Sequence, residues 1–202
     1  KSAGDAEKAF SKFGASAGLS FAKFNIAASA LEQVGISFVN IATAPIKFAA
    51  SLEQGETNFT TFLGSAEAAK ELIAELNKFA ADTPFAQSEI FGQAEKLLGF
   101  GFSANEATDS IKRLGDISGG SIEKLDGLVL ALGQVRAKQK VQAEELLQFA
   151  ERGVPIYEAL AQSIGVSVPE LNKLTEQGKV GFGDLQNAIK LLTDEGGSLT
   201  GF

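Results

Sequence analysis

From about residue 53 onward, apolar residues recur at helical spacing, and most recurrences are bounded by a start or stop signal. Ser65 is placed to cap a helix over Ala66–Asp82, where Leu72, Leu76 and Phe79 share one face. Thr83-Pro84 ends it, because the residue before a proline avoids the helical region. A second helix is predicted over Gln87–Leu98, stopped by Gly99-Phe-Gly101. Ser103 with Glu106 spells a capping box for a third, reaching about Ile117. After the Gly119-Gly120 turn, Ser121 caps a fourth, which runs to about Val135 with Leu125, Leu128, Val129 and Leu132 on one side.

The run Leu128–Pro155 reads as helix, a short basic connector Arg136-Ala-Lys-Gln-Lys140, and a helix over Glu144–Arg152 that ends at Gly153. Pro155 suits the first turn of a helix over Ile156–Ile164. Ser167 with Glu170 spells a second capping box, with Pro169 inside the first turn, and Gly178 ends that helix. The last helix, Phe182–Asp194, sets Phe182, Leu185, Ile189 and Leu192 on one stripe before Gly196-Gly197. No alternating run is long enough for a strand, and no repeat has a solenoid period. Short one-faced helices are unstable alone in water, so these must pack on each other.

Residues 1–52 differ. Small and aromatic residues dominate from Phe21 to Gln54, and the 14 residues between Glu32 and Lys47 are all uncharged. That is fewer than the ~20 apolar residues of a membrane span, and Asn40, Thr43 and Pro45 interrupt it. A long buried or partner-packed helix, kinked near Pro45, is one reading; a membrane-active segment that inserts during a conformational change is the other. The fold class is therefore all-α: a long N-terminal apolar helical segment over 1–52, then a compact multi-helix domain of short helices over 53–202.

Composition narrows the chemistry. The chain has neither Cys nor His, so a disulfide framework, a thiolate zinc site and a Ser-His-Asp or Cys-His catalyst are all excluded. The absence of Met predicts a piece of a longer translation product. Net charge is −7 overall: +2 over residues 1–50 (5 basic, 3 acidic), −6 over 51–150 (9 basic, 15 acidic) and −3 over 151–202 (4 basic, 7 acidic). An acidic body repels phosphates and argues against non-specific nucleic-acid binding.

Motifs add little catalytic signal. Gly178-Lys179 is followed by Val180 rather than Ser or Thr, so no phosphate loop is present, and Gly99-Phe-Gly101 and Gly181-Phe-Gly183 lack a third glycine. Carboxylates are spread along helix faces, often beside lysine, and no catalytic pair, cofactor motif or metal-ligand set stands out. Leu160–Leu171 has the small-residue and turn-glycine spacing of a helix-turn-helix, but its second helix would set Glu170 and Glu176 against phosphates. Close helical packing explains the same spacing. The connector holds the one concentration of positive charge, so Arg136, Lys138 and Lys140 are the candidate partner-contact residues; a solvated turn is the alternative.

An ordered series of segments resembles one family. It comprises Glu56-Thr-Asn-Phe-Thr-Thr-Phe-Leu-Gly64, Lys78-Phe-Ala-Ala-Asp-Thr-Pro-Phe85, Lys96-Leu-Leu-Gly-Phe-Gly-Phe-Ser103 and Leu114-Gly-Asp116. Ala131-Leu-Gly-Gln-Val-Arg-Ala-Lys138, Glu144-Glu-Leu-Leu-Gln148, Arg152-Gly-Val-Pro155 and Gly178-Lys-Val-Gly-Phe182 complete it. In this order, over residues 53–202, the segments are similar to the tape-measure domain of tailed-phage and prophage tails. The resemblance implies a non-enzymatic structural protein without cofactors, lying extended inside the tail tube, whose length sets tail length and which leaves ahead of the genome at ejection.

Implied partners are tail tip or baseplate proteins, the tail tube protein and an assembly chaperone, with several copies per tail. No sequence-specific nucleic acid is implied; contact with the host membrane at ejection is. The implied location is the virion, inside the tail near one end, after assembly in the host cytoplasm. A piece with short, broken helices is expected to serve at a terminus rather than as the ruler. The runner-up function, resting on residues 18–50, is a membrane-perturbing or channel-forming segment used in DNA delivery.

Overall fold

The serines that open three of the helices act as their sequence context predicts. Ser65 Oγ accepts from Ala68 N at 3.2 Å, Ser103 Oγ from Glu106 N at 3.3 Å, and Ser121 Oγ from Lys124 N at 3.2 Å. Each satisfies a donor that the first helical turn leaves without an intrahelical partner. The computed structural model describes residues 54–194 and 197–199. The apolar helical extension read over residues 1–52 and the turn glycine Gly196 lie outside the described residues.

Among the described residues the chain is all-helical. The order is α1 (54–63), α2 (Ala66–Asp82), α3 (Gln87–Gly99), α4 (Ala104–Ser118), α5 (Ile122–Lys138), α6 (Ala143–Glu151), α7 (Ile156–Ile164), α8 (Val168–Glu176) and α9 (Phe182–Thr193). One isolated antiparallel bridge, Lys140 to Gly181, is the only extended pairing among these residues.

The longer helices α2–α5 form one half. α4 meets α2, α3 and α5, and α5 also lies against α3. The shorter helices form the other half, in which α9 packs most extensively on α7, and α7 touches α6 and α8. α5 carries the first half onto α6, and α9 returns onto α4. The second junction is reinforced at the surface, where Arg113 Nη1 donates to Asp194 Oδ1 at 2.6 Å and to Thr193 Oγ1 at 2.8 Å.

One apolar core runs through both halves. The predicted stripes Leu72/Leu76/Phe79, Leu125/Leu128/Val129/Leu132 and Phe182/Leu185/Ile189/Leu192 are all buried in it. Each fully buried Leu or Phe contributes roughly 1.5–3 kcal/mol of transfer free energy. Phe59 and Phe91 meet edge-to-face at 5.5 Å between ring centres, which ties α1 to α3.

Two sequence readings need correction. First, α5 does not stop at Val135 but continues through Arg136 and Lys138. Those residues are good helix formers, and their charges sit at the negative end of the helix dipole. Gln139, in the left-handed region at φ 57°, terminates the helix where a glycine would be usual. The "connector" is therefore mostly the last turn of a helix.

Second, Ser167 is the N-cap of α8 but its side chain makes no capping bond. Pro169 in the first turn already removes one donor, and both Ser167 and Glu170 are exposed, so this helix start is open to solvent. A different device recurs instead. A carboxylate three residues into the helix accepts from the N-cap N–H at α3 (Glu89 to Ala86, 2.8 Å), α4 (Glu106 to Ser103, 2.9 Å), α6 (Glu145 to Gln142, 3.1 Å) and α9 (Asp184 to Gly181, 2.8 Å).

Candidate partner-contact site

The end of α5 places the three candidate cations in three different environments. Arg136 points inward. Its guanidinium carbon lies 4.9 Å from the centre of the Phe182 ring and 5.3 Å from that of Phe102. The two rings meet edge-to-face at 5.5 Å. Nη2 donates to the Gly101 carbonyl at 3.2 Å and reaches Glu106 Oε2 at 3.4 Å. With 24% of its side chain exposed, Arg136 joins the α3–α4 turn, α5 and the start of α9. It acts as an internal tie.

Lys138 is half-exposed, and its Nζ lies 2.5 Å from Oε1 of Glu145. Glu145 itself is 1% exposed, and its other oxygen holds the Gln142 N–H. A buried carboxylate is unfavourable unless paired and hydrogen-bonded, and Lys138 with the Gln142 amide meets that need. Lys140 is exposed and makes no side-chain hydrogen bond or ion pair among the described residues. Of the three, it alone presents an unpaired charge to solvent. The Gln139 side chain folds back onto the Arg136 carbonyl at 2.6 Å, which fixes the turn, and Val141 N donates to Val180 O at 2.9 Å.

Elsewhere on the surface some charges are paired, as in Lys70–Glu56, Lys96–Asp126 and Lys112–Glu75, while Lys78, Lys173, Lys179 and Lys190 are exposed like Lys140. The Glu106 carboxyl is held below the usual carboxylate range, first by the Ser103 backbone N–H, then by the Ser103 hydroxyl and Arg136, against an opposing effect of burial. The Asp126 carboxyl is likewise depressed, first by its bond to Lys96, then by Gln93 Nε2 at 3.0 Å. A broad groove of about 790 Å³ between α2 and α4 is lined by Glu71, Glu75, Asp109 and Lys112. Lys112 and Glu75 pair across it at 2.8 Å.

The helix-turn-helix spacing yields a hairpin of α7 and α8, with Gly165 at φ 79° in the turn and Ala161 buried. The exposed residues of α8 include Glu170, Lys173 and Glu176, an unsuitable set for a phosphate backbone. Among the described residues no group of side chains could hold a metal ion, and no helix is long and apolar enough to cross a membrane.

Sequence reasoning did not find the buried Glu145 or the glycines in mid-helix that admit large neighbours. A Cβ at Gly133 would sit 2.1 Å from a ring carbon of Phe100, and one at Gly127 the same distance from Arg152 Nε. The available signal was a glycine inside an otherwise strong helix, which marks close packing when it is retained.

A model of the tape measure protein family matches residues 43–200, starting upstream of the 52/53 boundary read from composition. The chain is similar to the probable tape measure protein of Escherichia phage Mu, with 25% identity over 130 residues, which is 63% of this chain and 19% of that protein. It is 28% identical over 141 residues to the Mu-like prophage FluMu protein gp42 of Haemophilus influenzae, covering 67% of this chain and 22% of the relative. With the tape measure protein of Lactococcus phage F4-1 the identity is 25% over 146 residues, covering 68% and 40%. The chain thus spans well under half the length of each of these relatives. No solved structure matches it. With the family match extending over most of the chain, this protein belongs to the tape measure protein family.

Proposed function

We propose that this chain is a structural, non-catalytic domain of a phage tail protein, acting through contacts with other tail proteins during assembly, length determination and genome ejection. The observation that carries this reading is the family match over residues 43–200. The architecture refines it. The longest described helices have 17 residues, about 25 Å at 1.5 Å per residue, and they fold back on each other. Such a domain does not measure length by extension. An extended helical ruler of about 1,500 Å needs on the order of a thousand residues, so we assign that task to sequence outside this domain.

The role assigned to this domain is terminal: a docking unit for tail tip or baseplate proteins, the tail tube protein or an assembly chaperone, in several copies near one end of the tail. It assembles in the host cytoplasm and ends up in the virion. Lys140, with Lys138 beside it, is the proposed contact for an acidic partner surface. The acidic surface, with Glu170 and Glu176 on α8, supports protein rather than nucleic-acid partners. Lys140→Glu tests this, because the side chain has no internal partner to lose. The variant should fold normally yet reduce the yield of complete tails; normal yield would remove Lys140 from the contact. A membrane-perturbing role rests on residues 18–50, which lie outside the described residues. Leakage from liposomes exposed to that peptide, against a charge-inserted control, addresses it.

A further inference from the structure

We draw no further inference here: the strongest candidate, the broad groove between α2 and α4, has Lys112 and Glu75 paired with each other across it and Asp109 held by Arg113, and nothing in the structure shows what covers it.

Discussion

The Arg136 guanidinium carbon lies 4.9 Å from the centre of the Phe182 ring, so the end of α5 is fastened to the start of α9 by a cation over an aromatic face. Phe102 supplies the second ring, at 5.3 Å. A cation–π contact contributes about 0.5–2 kcal/mol according to its desolvation, and here two rings share one largely buried cation. The charge most prominent in the sequence thus holds the two halves of the domain together.

Replacing Arg136 should therefore lower stability. Arg136→Ala is expected to cost about 2 kcal/mol, and Arg136→Lys about 1 kcal/mol, since a compact ammonium cannot lie over both rings and reach the Gly101 carbonyl together. Urea denaturation checks the order. Equal stability of the wild type and Arg136→Ala would place the tie elsewhere.

Glycine-to-alanine changes should split by position. Gly92→Ala meets no atom within 4 Å and should stabilise α3 by up to about 1 kcal/mol through helix propensity. Gly133→Ala drives a methyl to 2.1 Å from Phe100 Cδ2 and 2.7 Å from its Cγ, so the whole ring must move. It should destabilise by about 1–3 kcal/mol. Thermal melting reads both, and a rise in Tm for Gly133→Ala contradicts the packing described.

The Lys138–Glu145 pair should be asymmetric. Lys138→Ala strands a carboxylate on a residue that is 1% exposed, and removing one partner of a buried pair costs about 3–5 kcal/mol. The half-exposed Lys138 and the retained Gln142 N–H bond bring the expected figure towards the lower end. Glu145→Gln leaves only Lys138, which water can solvate, and should cost about 1 kcal/mol. The reverse order in chemical denaturation would show that Glu145 does not depend on Lys138.

Acid sensitivity follows from Glu106 and Asp126. Both carboxyls are depressed in the folded chain, so the stability they contribute is present above their unfolded values, about 4. It is lost as pH falls through that value towards the folded one. With no His in the chain, stability should be nearly flat from about pH 6 to 8. Glu106→Gln should reduce the loss below about pH 4. A stability maximum in the acid range would contradict both assignments.

The sequence made the helices legible because their signals are local. Ser65, Ser103 and Ser121 announce three starts, and apolar spacing announces which faces are buried. It obscured the candidate site because Arg-Ala-Lys-Gln-Lys has the composition of a loop and of a final helical turn alike. What decided between them was non-local: the rings of Phe102 and Phe182 waiting for Arg136, and the buried Glu145 waiting for Lys138. Glu145 stands beside Glu144 in sequence, yet one carboxylate is buried at a helix start and the other is exposed, lining a cleft. Only the α5–α6 packing distinguishes them.

The central claim is that residues 53–202 act as a docking unit within a longer tail protein. Electron microscopy of tails made with the complete protein lacking only residues 53–202 tests it most directly. The account predicts absent or aberrantly initiated tails. Tails of normal number and normal length would contradict it.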